Sequence, residues 1–286
     1  MAVYRRGYNR YKGRITGRWT RFMVLPRFAW RRLFQQRLVV LLLVSAMVWP
    51  LLCAGFVYIS NHAELLKGLD SEFQRFVEVS GNFFIIFMNV QALFAVFLAA
   101  LAGPGLIAPD LANNALPLYF SRPVTRADYA LAKLVVLFGM LSIVTWVPGL
   151  VLFGMQVGMA GGWWFWSNWS LGFGIFSGFA IWVLLVSMVA LAGSAYVKWR
   201  MVAGGLVLGF FFILAGVATM INGVFRVTWG HALNPAWAVN RLWFALLSVD
   251  PPDGPGVVAC VSVLAGITLF LALVLERKLR PVEVIR

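Results

Sequence analysis

Few residues of this chain have the types and spacing that catalysis or metal binding requires. Its histidines, His62 and His231, and its cysteines, Cys53 and Cys260, are widely separated in the sequence. No G-x-x-x-x-G-K-[ST] run is present to cradle nucleotide phosphates, and neither an H-E-x-x-H nor a C-x-x-C motif is present to ligate zinc. The sequence therefore predicts a protein that is not an enzyme and that has no catalytic, cofactor-binding or metal-binding residues of its own.

The polar residues whose spacing best matches known helix-capping patterns lie between positions 105 and 133. Asp110 can cap a short helix that Pro117 stops. Thr125 and Asp128, three residues apart, form a capping-box pattern that predicts the start of a second helix. The stretch is either a well-built loop or a docking element that presents exposed side chains to a soluble partner. Those side chains are Tyr119, Arg122 and Arg126.

The composition indicates which elements must position these residues. Of the 286 residues, 62% are hydrophobic and 12% are charged, whereas soluble domains are about half apolar and about a quarter charged. Six apolar runs are each long enough, at about 1.5 Å per residue, to cross a hydrocarbon core of roughly 30 Å as a helix. The predicted fold class is an all-α polytopic membrane protein with six transmembrane helices. The runs cover residues 38–59, 83–107, 131–155, 171–195, 201–221 and 257–275.

The distribution of basic residues predicts how these helices are oriented. Twenty of the 24 Lys and Arg residues lie before the first run, after the last run, in the connections that follow the second and fourth runs, or, in the case of Lys133, at the start of the third run. Since short cytoplasmic segments are enriched in Lys and Arg, both termini are predicted to be cytoplasmic. The connection 108–130 is then cytoplasmic, segment 222–256 lies on the outer side, and residues 276–286 form a cytoplasmic tail.

The basic N-terminal segment, residues 1–37, is predicted to lie on the membrane surface. Its aromatic residues recur at helical spacing and alternate with arginines, which is typical of an amphipathic helix on an anionic leaflet. No nucleic-acid-binding module accompanies the formal net charge of +14, so nucleic acid is not a predicted partner. The predicted membrane-surface anchors are Trp19, Phe22, Trp30, Arg31 and Arg32.

Two side-chain amides lie inside the six runs. Asn89 and Gln91 lie in the second run, where such amides bond neighbouring helices or contact a substrate; both interpretations stay open. Apart from Lys133 at the start of the third run, none of the runs contains Asp, Glu, Lys, Arg or His. Ion-coupled carriers bind their coupling ion through ionisable groups at membrane depth. This pattern therefore disfavours a secondary carrier and favours an apolar path for a hydrophobic or amphiphilic cargo.

Residues 115–129, Ala-Leu-Pro-Leu-Tyr-Phe-Ser-Arg-Pro-Val-Thr-Arg-Ala-Asp-Tyr, followed by Lys133, resemble the signature of ABC-2 type transporter permeases. That signature has an acidic residue, a short helix, a Ser-Arg-Pro-[Val/Ile]-[Ser/Thr]-Arg segment, an aromatic residue and a Gly-Lys pair entering the third span. This chain has Asp110 where Glu is commoner and Ala132 where Gly is common. It also has an Asn-Asn pair beginning at Asn113 where Gly-Thr is frequent. The layout of six runs agrees with the same family.

The resemblance implies an ABC-2 (type V exporter-like) permease fold in the bacterial cytoplasmic (inner) membrane. Two permeases, identical or homologous, would face each other, and each would dock a separate ATP-binding subunit that holds ATP and Mg²⁺. Loop 108–130 would contain the coupling helix that fits a groove of that ATPase, and segment 222–256 would form re-entrant outer helices. The coupling residues implied are Asp110, Asn113, Tyr119, Arg122, Pro123, Arg126 and Asp128.

Two other functional classes remain open at this point. One is a non-transporting membrane scaffold or assembly factor with the same fold, and the other is a secondary carrier or channel. Transport that depends on a P-loop partner would separate an exporter from a carrier. Cargo movement by a purified complex would separate an exporter from a scaffold.

The alternation of basic residues makes a testable prediction about topology. In a chain with Cys53 and Cys260 replaced by alanine, a cysteine at Ser167 should react with a membrane-impermeant thiol reagent added to intact cells. A cysteine at Thr125 should react only after the cells are opened. The reverse pattern of labelling would contradict the orientation with both termini in the cytoplasm.

Overall fold

The computed structural model describes residues 18–62, 79–113, 115, 117, 125–197 and 199–278, with the backbone alone for residues 18–21. In this part of the chain the regular elements are all helical. They are α1 (Arg18–Phe34), α2 (Arg37–Asn61), α3 (Gly81–Ala102), α4 (Pro104–Ala112), α5 (Arg126–Val144), α6 (Trp146–Ala160), α7 (Gly162–Tyr196), α8 (Arg200–Phe225), a 3-10 turn (Trp229–Leu233), α9 (Pro235–Leu246) and α10 (Val257–Lys278).

Within these ranges, six helical segments are long and apolar enough to cross a membrane. Two of the segments are pairs of consecutive helices, α3 with α4 and α5 with α6. The predicted all-α class with six apolar helices of spanning length is thus confirmed for the described residues. The segments are Arg37–Asn61, Gly81–Ala112, Arg126–Ala160, Gly162–Tyr196, Arg200–Phe225 and Val257–Lys278.

The third and fourth segments are longer than the hydropathy of the sequence predicted. Residues 156–170, between the third and fourth predicted runs, are helical on either side of a reversal at Gly161, which has a φ of 89°. A positive φ is readily adopted by glycine because it has no Cβ. The tryptophan-rich residues that follow are part of α7, with an irregular backbone at Asn168 (φ −126°, ψ 15°). Tryptophan and serine lower the hydropathy of this stretch without preventing a helix.

Helix α7 lies at the centre of the structure. It contacts α3, α4, α5, α6, α8, α9 and α10. Of its most apolar stretch of 18 residues, 72% is buried inside the protein. The corresponding buried share is 28% for the first and fifth segments and 17% for the sixth. These three segments therefore lie at the periphery of the bundle and expose apolar side chains. Exposure of so much apolar surface to water is unfavourable, but it is expected for surfaces that face lipid or another transmembrane chain.

The second segment is interrupted at Gly103, where α3 ends and α4 begins. Pro104 is the first residue of α4 and follows Gly103, and a proline at this position removes a backbone donor and clashes with the carbonyl group four residues earlier. Gly103 also allows a close approach to α7, because a Cβ there would lie 2.7 Å from the Cβ of Ala190. The interruption thus lies where the segment packs closely on α7.

The segment after α8, for which the resemblance implies re-entrant outer helices, contains a short helix. Asn234 caps α9 by accepting hydrogen bonds from the backbone N–H groups of Ala236 and Trp237, and Pro235 occupies the first helical position. With 12 residues, α9 is about 18 Å long and too short to cross a bilayer. It packs against α3, α7 and α10.

Adjacent glycines of α8 provide a test of the close packing between α8 and α3. A Cβ at Gly204 would lie 2.6 Å from the carbonyl oxygen of Ala100, whereas a Cβ at Gly205 would meet nothing within 4 Å. Gly204→Ala should destabilise the protein by about 1–3 kcal/mol, as overpacking does. Gly205→Ala should leave stability unchanged or raise it by up to about 1 kcal/mol, because alanine favours a helix.

Thermal unfolding of the two detergent-purified variants measures this difference. Equal melting temperatures for Gly204→Ala and Gly205→Ala would contradict the contact between α8 and α3.

Candidate functional site

Three residues of the 105–133 stretch converge at one end of the helical bundle. The carboxylate oxygen Oδ2 of Asp110 lies 2.8 Å from Nζ of Lys133 and accepts a hydrogen bond of 2.7 Å from the hydroxyl group of Tyr129. The Lys133 ammonium also lies 5.1 Å from the centroid of the Tyr129 ring. We call Asp110, Tyr129 and Lys133 the Asp110 cluster. It joins the last turn of α4 to the first two turns of α5.

The Asp110 cluster is largely shielded from solvent. The side chain of Lys133 is 11% exposed and that of Asp110 is 14% exposed, while Tyr129 is fully buried. Removing one partner of a buried ion pair typically costs roughly 3–5 kcal/mol, because the other charge is left uncompensated. The cluster therefore ties the orientation of α4 to that of α5.

The local sequence explains how α5 presents its part of the cluster. Thr125 Oγ1 accepts a hydrogen bond of 3.1 Å from the backbone N–H of Asp128, and the Asp128 carboxylate accepts one of 3.1 Å from the backbone N–H of Thr125. The predicted capping box is thus confirmed, and it sets the first turn of α5. Tyr129 and Lys133 are four residues apart and therefore lie on one face of the helix.

The prediction that Asp110 caps the short helix is wrong. The helix starts instead at Pro104, and Asp110 lies in its last turn. The physical reason is Lys133, whose buried ammonium needs an anion nearby. The carboxylate of Asp110 meets that requirement from the preceding helix. A pattern of capping residues close together in the sequence does not indicate this pairing.

Ser194 of α7 holds the beginning of α4. Its hydroxyl oxygen accepts hydrogen bonds from the backbone N–H groups of Ile107, at 3.3 Å, and Ala108, at 3.0 Å, and the hydroxyl donates to the carbonyl of Pro104 at 3.2 Å. Ile107 is the fourth residue of α4, and the first four N–H groups of a helix have no partner within the helix. The sequence analysis missed Ser194, because no local signal marks a partner that is 86 or 87 positions away.

Two further contacts connect the same end of the bundle. Trp30 of α1 donates a hydrogen bond of 2.8 Å from its indole N–H to the carbonyl of Val136 in α5, and its ring lies against Gly139. Arg200, at the start of α8, donates to the carbonyl of Leu101 at 3.2 Å and to the side chain of Gln36. Helix α1 is therefore joined to α5, and α8 is joined to α3 and to the start of α2.

The other predicted coupling residues are described only in part. Asn113 is exposed immediately after α4, and Arg126 is exposed in the first turn of α5. Asp128 is half-buried in the capping box. Tyr119, Arg122 and Pro123 lie outside the described residues. Their role in docking stays a prediction.

Among the predicted membrane anchors, Phe22 is half-buried, and Arg31 and Arg32 are exposed. The side chain of Trp19 lies outside the described part of the structure. Trp30 differs from the expectation for a residue that only anchors a helix to lipid, because its indole N–H bonds to α5. One face of α1 therefore packs on the protein.

The amides in α3 bond neighbouring helices. Asn89 accepts a hydrogen bond of 2.8 Å from the side-chain amide of Asn240 in α9, and Gln91 donates one of 3.1 Å to the carbonyl of Ala46 in α2. Among the described residues, the Oε1 atom of Gln91 is buried without a hydrogen-bond partner. The geometry thus provides interhelical contacts for both amides, and contact with a substrate stays a prediction.

A polar pocket lies at the opposite end of the bundle from the Asp110 cluster. Its volume is about 830 Å³, and it is formed by the start of α3, the first turns of α7 and the turn after α9. Across the ranges that the structure describes, no group of three or more His, Cys, Asp or Glu residues could hold a metal ion. The polar residues that line the pocket are Ser80, Asn82, Ser167, Asn168, Ser170, Ser248 and Asp250.

Comparisons with protein-family models and with curated proteins found no match to this chain. The functional assignment therefore depends on the geometry of the Asp110 cluster and on the residue pattern between positions 105 and 133.

A double-mutant cycle tests whether the ion pair of the Asp110 cluster joins α4 to α5. Asp110→Asn and Lys133→Met should each lower the stability of the purified protein, by up to roughly 3–5 kcal/mol, because each leaves a buried charge without its partner. The double variant should be destabilised by less than the sum of the single effects. The melting temperatures of the single and double variants measure these effects. Asp253→Asn, at an exposed position, is the control. Strictly additive effects would show that the two charges are not coupled.

Proposed function

We propose that this chain is the permease subunit of an ATP-driven exporter of the ABC-2 type. The observation that supports this proposal best is the Asp110 cluster, because it links a short helix at the end of one span to the start of the next. Such a helix can receive a displacement from a soluble partner and pass it to the transmembrane helices. ATP and Mg²⁺ would be bound by a separate ATP-binding subunit.

The contacts around α4 support a role in transmitting force. The ion pair of the Asp110 cluster connects α4 to α5, and the hydroxyl group of Ser194 connects it to the central helix α7. Since packed and hydrogen-bonded helices move as units, a displacement of α4 would be shared by the third and fourth spans. The indole of Trp30 would extend this motion to α1. A loop without such contacts would absorb the displacement instead.

The exposed groups near α4 suggest how an ATP-binding subunit would dock. Asn113 and Arg126 are exposed on either side of the connection between α4 and α5, and the Ser-Arg-Pro segment with Arg122 lies between them in the sequence. In this proposal the connection and both termini are cytoplasmic, in a bacterial inner membrane. The polar pocket at the other end of the bundle would then be on the exit side.

The peripheral spans support the proposed assembly with a second permease. Large apolar side chains of α2 and α8 are exposed, including Leu51, at 72% of its surface, and Met220, at 70%. Two such chains, each with one ATP-binding subunit, would bury part of this surface. Helices in a bilayer associate through close packing and not through the exclusion of water.

Charge reversal in the connection tests the docking of the ATP-binding subunit. Arg122→Glu should reduce the amount of P-loop ATPase that co-purifies with the tagged chain from native membranes by about tenfold or more, since charge reversal at a buried contact costs a few kcal/mol. The level of inserted chain should not change.

Arg75→Glu, in the predicted outer segment 60–82, is the matched control and should retain the ATPase. Equal ATPase recovery and equal ATP turnover for Arg122→Glu and the wild type would remove Arg122 from the docking surface.

A further inference from the structure

A groove separates α5 from α10 at the end of the bundle that carries the Asp110 cluster. Its volume is about 530 Å³, within the range of about 300–1,000 Å³ that is usual for ligand pockets. Both helices pack on α7, which forms the floor. The groove is lined by Arg126, Ala127, Ala130, Leu131, Leu134, Met188, Leu191, Ala272, Leu275 and Glu276.

The interior of the groove is apolar and elongated. From Arg126 to Leu134 it follows α5 for about 12 Å, at about 1.5 Å per residue. Its inner walls are leucine, alanine and methionine side chains, and Leu131 is 50% exposed, so the groove is open beside Leu131. An apolar channel of this shape, on a helix surface that faces lipid, suits a hydrocarbon chain better than a compact polar ligand.

The charges at the mouth of the groove are balanced. Arg126 of α5 and Glu276 of α10 are both exposed, and they are the charged residues among those that line it. A guanidinium group binds a phosphate through two parallel hydrogen bonds. A carboxylate can accept several hydrogen bonds, so Glu276 can receive an ammonium group in addition to its existing contact.

We propose that this groove is a binding site for phosphatidylethanolamine. One acyl chain lies between α5 and α10, the phosphate lies on Arg126, and the headgroup ammonium lies on Glu276. An anionic phospholipid would satisfy Arg126 but would bring negative charge beside Glu276, which like-charge repulsion disfavours. The zwitterionic headgroup matches both charges.

The proposed site does not depend on export. It requires that the chain lies in a bilayer and that this end of α5 lies at headgroup level, in whichever leaflet that is. A lipid held there would contact α5 directly beside the helix turns that carry Tyr129 and Lys133. The site is therefore a lipid contact of the helix that carries two of the three residues of the Asp110 cluster.

Native mass spectrometry of the delipidated full-length chain in detergent tests the site. Phosphatidylethanolamine or phosphatidylglycerol of matched acyl chains is added in separate titrations. The variants Arg126→Gln and Leu131→Trp remove the phosphate partner and fill the apolar channel. The matched controls are Arg277→Gln, an exposed arginine of α10 outside the groove, and Leu273→Trp, an exposed leucine of α10 outside the groove. The melting temperature of each variant establishes that it is folded.

The wild type and both controls should bind phosphatidylethanolamine, and Arg126→Gln and Leu131→Trp should each bind it about tenfold more weakly, as expected when one charge-assisted contact or the chain pocket is lost. Glu276→Gln should remove the preference over phosphatidylglycerol. Equal binding by Arg126→Gln and Arg277→Gln would overturn the site. A wild type that binds phosphatidylglycerol as tightly as phosphatidylethanolamine would overturn the choice of headgroup.

Discussion

A lysine ammonium at the edge of an apolar helix is stable only where an anion lies beside it. In this protein the anion is Asp110, 2.8 Å from Lys133, and it comes from the preceding helix. The pair requires α4 to end beside the second turn of α5. The capping box at Thr125 starts α5 at the position that makes the pair possible. The placement of the last turn of α4 against the start of α5 follows from this one charge.

The pair would have little effect on the rest of the molecule if α4 were otherwise free. Instead, Ser194 binds the start of α4 to α7, and α7 contacts most of the other helices. The close approach at Gly103 keeps the break between α3 and α4 against α7, where a larger residue would clash with Ala190. The two ends of the bundle consequently differ. One end has an ion pair within a network of hydrogen bonds, and the other has an open polar pocket.

Local signals in the sequence were sufficient for part of this structure. The six apolar helices were predictable because a span of about 20 apolar residues stands out from its surroundings, and the capping box was predictable because its partners are three residues apart. The helical start of α7 was not predictable from hydropathy, since its tryptophans and serines resemble those of an interfacial loop. The bond between Trp30 and Val136 was also missed, because it joins helices 106 positions apart.

By itself, the sequence determined that the chain forms apolar helices, where most of them lie and which residues begin α5, because these properties depend on neighbours within a few positions. The tertiary structure decided the role of Asp110, which is a counter-ion and not a helix cap. It also decided the pairing of Asn89 with Asn240 and the groove between α5 and α10. Each of these depends on which helix faces are adjacent, and the periodicity of a single helix does not contain that information.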